Sequence, residues 1–162
     1  MSLMTLHIPL DPYLAQWFIH QCGGETPVSL PKGSIESKIL EIYLTKRPVD
    51  VKPDLGGEGQ LAIYIPTFRN RPPEYYNHLP KHAKAALIES IRNRFDVDLW
   101  NDLHHFGAIC RNRQDELIYA FMEKHGIEAD ETNWNAIAKR YQRQRKLYYD
   151  RQFRKNGKNR RK

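Results

Sequence analysis

Toward the carboxyl end, Asn133, Asn135, Lys139, Arg140, Gln142, Arg143, Arg145 and Lys146 crowd into one stretch, and Arg151, Arg154 and Lys155 follow. Nucleic-acid recognition uses these residue types: Lys and Arg neutralise phosphates, while Asn, Gln and Arg reach base edges with paired donors and acceptors. Trp134, Ile137, Ala138 and Tyr141 recur among them at helical spacing. A helix capped by Thr132 would seat that apolar face on a neighbour and turn the polar residues outward. All eleven polar residues are therefore candidate contacts to nucleic acid. The bland alternative is a solvated basic face, with Tyr141, Tyr148 and Tyr149 serving packing rather than base stacking.

Charge sharpens the reading. Residues 136–162 hold 12 basic residues against one acid, Asp150, a net +11. The preceding 135 residues hold 14 basic and 18 acidic groups, so the overall +7 comes entirely from the carboxyl end. Such asymmetry points to a polyanionic partner. DNA is expected in preference to RNA, because the RNP pattern does not occur and the Gly-X-X-Gly sequence present, Gly56-Gly57-Glu58-Gly59, precedes a strand rather than a helix. The alternative is an interaction or assembly factor whose basic end binds an acidic protein.

Other constellations are poorer. His78 and His82 are spaced i, i+4, but Pro80 between them starts the helix after His78. His104 and His105 are adjacent and cannot share a helix face. Cys110 and His125 lack the second Cys and His of a zinc site. Asp96, Asp98 and Asp102 suggest a Mg²⁺ cluster, but read more simply as solvent-facing residues around a helix kink. Gly56, Gly57 and Gly59 precede a strand, the wrong context for a phosphate loop. No Walker A, dinucleotide or nucleophile-elbow pattern is present. The expectation is a non-enzymatic protein with no catalytic residue, metal, cofactor or small-molecule substrate.

The elements that would position these groups follow from periodicity. A strand at 6–10 leads to a helix with Asp11 as N-cap and Pro12 at its first position, carrying Tyr13, Leu14, Trp17 and Phe18 and ending at Gly23-Gly24. A short strand is expected at 28–30, then a helix capped by Ser34 that carries Ile35, Ile39, Leu40, Ile42, Tyr43 and Leu44 until Lys46-Arg47-Pro48 stops it, then a strand at 61–65. Beyond Pro73 no further strand is expected. Leu87, Ile91, Phe95, Leu99, Leu103 and Phe106 predict one long helix to Gly107, kinked at 96–98. Leu117, Ile118, Phe121 and Met122 predict another from 113 to 125, closed by Gly126. Two helices joined at Gly126 have the ingredients of a helix-turn-helix, although the turn over 126–131 exceeds the usual three or four residues.

The expected fold class is α+β, with a short-stranded amino-terminal half and a mostly helical carboxyl half. The boundaries are 1–78 for a structural or dimerising region, leaving a homo-oligomer open, 79–154 for the helical region, and 155–162 for a disordered basic tail. The chain's 162 residues suit one core, and no apolar run approaches the roughly 18 residues of a membrane span. Two cysteines and no secretory leader fit a cytoplasmic protein without a membrane partner.

Three segments, Leu10-Asp11-Pro12-Tyr13-Leu14, Val28-Ser29-Leu30-Pro31-Lys32-Gly33-Ser34 and Lys124-His125-Gly126-Ile127 ahead of the Arg-rich end, have a familiar look. Together they resemble small basic proteins encoded in prophages and mobile elements of gut anaerobic bacteria. That resemblance implies a mobile-element setting and carries over no activity and no site residue; transcription regulation is expected only as a form of the DNA-binding reading.

Overall fold

The computed structural model describes residues 4–107 and 113–159 and divides into two compact units, Met1–Phe95 and Asp96–Lys162. The class is the expected one, α+β with a helical carboxyl half.

In the first unit, strand β1 (Thr5–Pro9) runs antiparallel to a later strand, Gln60–Tyr64, with Leu6 opposite Ile63 and Ile8 opposite Leu61. Alternation puts all four side chains on one buried face. Helix α1 (Pro12–Gln21) starts on Pro12 and buries Tyr13, Leu14, Trp17 and Phe18. Asp11 precedes it without a side-chain cap, because Pro12 already fixes the entry angle. Gly23 and Gly24, at φ of 107° and 84°, end the helix in a conformation that other residues resist. Helix α2 (Ile35–Tyr43) is capped as expected, Ser37 N donating to Ser34 Oγ at 3.1 Å.

Two strand expectations change. The segment at 28–30 contributes only one bridge, Val28 to Ile63, because Pro31 and Gly33 end any ladder. Conversely, β2 (Thr45–Lys46) pairs with a strand past Pro73, Tyr76–His78. With the Gln60–Tyr64 strand as β3 and this one as β4, both sheets are two-stranded. β4 is too short and polar to show a period of two in the sequence.

Helix α3 (Lys81–Trp100) presents Ala83, Leu87, Ile91 and Phe95 to this core. Trp17 meets Phe95 edge-on at 5.5 Å. The buried Glu36 carboxylate accepts from Ser90 Oγ at 2.7 Å and Arg94 Nη1 at 3.0 Å, which supplies the partners that a charge needs inside a core. Asp54 ties the 50–59 loop to β1 and α3. Its carboxylate accepts from His7 N at 3.0 Å, Gly56 N at 3.2 Å and Lys84 Nζ at 3.4 Å.

The second unit takes up the end of α3 and continues it as a π-helical segment, Asn101–Phe106. The irregularity therefore lies later than the predicted kink at 96–98. Helix α4 (Gln114–Lys124) carries Asp115 and Glu116 in its first turn and buries Ile118, Phe121 and Met122. Gly126, at φ 66°, turns the chain so that Ile127 N reaches Met122 O at 2.9 Å, the glycine-dependent helix ending read from the sequence. The Leu117 side chain lies close to Gly107, where a Cβ would stand 2.7 Å from Leu117 Cδ1 and would oblige that side chain to move.

Helix α5 (Glu131–Asn159) continues through 155–159, where a tail without regular structure was expected. Lys, Arg and Gln are good helix formers, and a basic last turn complements the helix dipole, which outweighs one interior Gly157. Residues 160–162 lie outside the described residues, as does Cys110. No helix among the described residues is long and apolar enough to cross a membrane.

Candidate nucleic-acid interface

α5 begins two residues ahead of where Thr132 would cap it. Asp130 Oδ1 accepts from Asn133 N at 2.7 Å, so Asp130 is the cap. Asn133 is drawn into the same knot, its Nδ2 donating to Glu128 O at 3.1 Å and Asp130 Oδ2 at 3.2 Å. Only 2% of the residue is exposed. Its assignment as a nucleic-acid contact is corrected: it builds the helix start.

Ile137, Ala138 and Tyr141 are buried, and Trp134 is half-buried against Tyr119 at 6.2 Å. With that face turned inward, residues 100° apart per step distribute simply. Asn135, Lys139, Gln142 and Lys146, at i, i+4, i+7 and i+11, occupy a sector of about 60° beside that face, and Arg143, about 40° beyond Lys139, points most directly away from it. All five are exposed.

Two further candidates are withdrawn from that surface. Arg140 places Nε and Nη2 on the two carboxylate oxygens of Asp96, the second contact at 2.9 Å. Arg145 donates from Nη1 to Gln114 Oε1 at 3.0 Å while its guanidinium lies over Tyr141 at 5.8 Å and Tyr149 at 6.0 Å. Both are packing residues, because a planar guanidinium fits carboxylate and ring faces as readily as phosphate. Asp96 likewise does not face solvent as expected, and Asp102 accepts from Lys124 Nζ at 2.9 Å and meets His125 Nε2 at 3.1 Å.

An aromatic cluster fixes the middle of α5. Trp100 stacks on His104 at 4.0 Å, and Tyr148 tilts against both at 5.2 and 5.0 Å. Burial holds the His104 pKa below its ordinary value, helped by His105 and Arg145. Burial likewise pushes the Tyr141 hydroxyl up, with Arg145 opposing.

Past Tyr149 the helix is exposed almost throughout. Arg154 lies about 80° from Lys146, but Arg151 and Lys155 lie about 140° and 180° away, so the last turns carry cations around their whole circumference. Lys139, Arg143, Lys146, Arg151, Arg154 and Lys155 have no ion-pair partner among the described residues. Sequence reasoning weighed Asp96 as a kink or cation residue and missed its pairing with Arg140, which no local pattern marks because the partner is 44 positions away.

His78 lies in β4 and His82 in α3, so the pair shares no helix face. Among the described residues, no group of three or more His, Cys, Asp or Glu is placed to hold a metal ion. Comparison with protein-family models, curated proteins and solved structures finds no match.

Proposed function

We propose that the protein binds nucleic acid through α5, duplex DNA in preference to RNA, without catalysing a reaction. The observation that supports this reading is the row of Lys139, Arg143 and Lys146 on one exposed face beside Asn135 and Gln142, none of the three cations paired with a carboxylate among the described residues. At 1.5 Å per residue, the 29-residue helix is about 43 Å long. It exceeds one turn of B-DNA, whose major groove admits a helix. In that groove a helix meets phosphates on both walls, which gives Arg151 and Lys155 a use on the side opposite Lys146. A continuous basic helix accounts for the arrangement better than a helix-turn-helix, since six residues, 125–130, join α4 to α5. Regulation of transcription is the finer form of the proposal, and its setting in a phage or mobile element rests on the resemblance of the three sequence segments.

A second reading, an acidic protein partner, is favoured by Leu147 and Phe153, which are 57% and 83% exposed on the same helix and offer nothing to phosphate. Binding of labelled duplex DNA, duplex RNA and single strands to the full chain and to a chain ending at Asp150 separates the two. The nucleic-acid reading expects duplex DNA to bind tightest and the shorter chain to bind more weakly. Absence of binding to any strand at low salt contradicts it and favours the protein partner.

A further inference from the structure

In the Met1–Phe95 unit a cleft of about 400 Å³ opens between α2, the 29–33 loop and the chain following β3. Its size falls in the range of small-molecule sites. The walls are fastened from outside. Tyr64 N donates to Val28 O at 2.9 Å, holding the loop beside β3. Arg71 ties the Phe68 turn to the end of α2 by donating from N to Phe68 O at 3.0 Å and from Nη1 to Glu41 O at 2.6 Å.

Leu30 and Phe68 give the lining apolar surface, and Ser37 and Thr67 give hydroxyls. The charges define what would fit. Lys32 lines the cleft just ahead of α2, and Glu41 lines it near the helix end. Neither has an ion-pair partner among the described residues. Along the axis of α2 the backbone rises about 9 Å from residue 35 to residue 41, and no ion pair joins Lys32 to Glu41. The dipole of α2 adds to the positive polarity at the Lys32 end, while at the other end Arg71 already meets the Glu41 carbonyl, which leaves the Glu41 carboxylate as the negative group there. A zwitterion with its charges about 10 Å apart complements the cleft, and an extended chain of three residues spans about that length.

We propose that this cleft binds a free peptide of about three residues, its carboxylate toward Lys32, its amine toward Glu41 and an apolar side chain against Leu30 and Phe68. An internal segment of a protein brings neither terminal charge, and a chain end brings one, so the pairing of both selects a free peptide. The inference is independent of nucleic-acid binding by α5.

Calorimetric titration of the full chain with Gly-Phe-Gly, its N-acetyl form and its C-terminal amide tests it. Saturable binding of the free peptide is expected, with each blocked form weaker by about two- to fivefold, the range of a partly exposed ion pair. Glu41→Gln should erase the difference between the free and acetylated peptides while keeping that between acid and amide. Lys32→Gln should do the reverse. Both positions are exposed, so circular dichroism should show unchanged folding. Absence of saturable binding at millimolar peptide overturns the proposal, as do equal affinities for the three peptides or variants that leave both differences intact.

Discussion

Arg140 grips Asp96 through two nitrogens on two carboxylate oxygens, and Gln144, one turn further along α5, donates from Nε2 to the Asp96 carbonyl at 3.0 Å. Asp96 thereby fixes how α5 is rotated about its axis, and so which residues it exposes. Both side chains of the ion pair are about a quarter to a third exposed, so the pair falls between a buried bridge and a surface one. Asp96→Asn should cost about 1–2 kcal/mol in urea unfolding. Arg140→Ala should cost about as much while leaving the salt dependence of DNA binding unchanged. A lowered salt slope for Arg140→Ala would show that Arg140 meets phosphate after all.

Asn133 and Asn135 stand two residues apart and should behave oppositely. Asn133→Ala removes the donor to Glu128 O and Asp130 Oδ2 and should lower stability by about 1 kcal/mol, since it breaks two part-buried hydrogen bonds at the helix start. Asn135→Ala is an exposed change and should stay within about 0.5 kcal/mol while altering base preference. Denaturant unfolding of the two variants, with binding to a randomised duplex pool, checks both.

Much of this was legible in the sequence where one segment decides the outcome. Tyr13, Leu14, Trp17 and Phe18 declare the buried face of α1, Ser34 declares a cap and Gly126 a helix end, because each depends on neighbours within a turn. Contacts across the chain were not legible. Arg140, Arg145 and Lys146 look alike as residue types, and only Asp96, Gln114 and Tyr141, brought close by folding, separate the first two from the third. Asn133 was misjudged because Asp130 and Thr132 are both good caps, and choosing Asp130 moves the helix start enough to bury it. The strand at 28–30 failed for want of a second paired residue.

The 50–59 loop should loosen in acid. Burial raises the pKa of Asp54, but the His7 backbone N–H, Lys84, the Gly56 N–H and the His7 side chain together outweigh it and hold the carboxyl below its ordinary value. A carboxylate with a lower pKa in the folded state stabilises above its unfolded pKa, about 3.9, and loses that contribution as pH falls through the folded value. Asp54→Asn should therefore lower Tm at pH 7, and the gap from the unsubstituted protein should close below about pH 3.9. A gap that stays constant to pH 2.5 would contradict this.

The exposed row on α5 predicts graded losses. Lys139→Ala, Arg143→Ala and Lys146→Ala should each weaken binding nearly uniformly across duplex sequences, with stability changed by less than about 0.5 kcal/mol. Phe153→Ser should leave duplex affinity within about twofold, since an exposed phenyl has no phosphate to meet.

The slope of log K against log salt concentration for labelled duplex DNA tests the central claim most directly. Three to five phosphate contacts along α5 predict a slope of about −3 to −5, and Lys139→Glu, Arg143→Glu and Lys146→Glu combined should remove about three units of it. A slope that the triple substitution leaves unchanged, or no binding at low salt, would contradict the account.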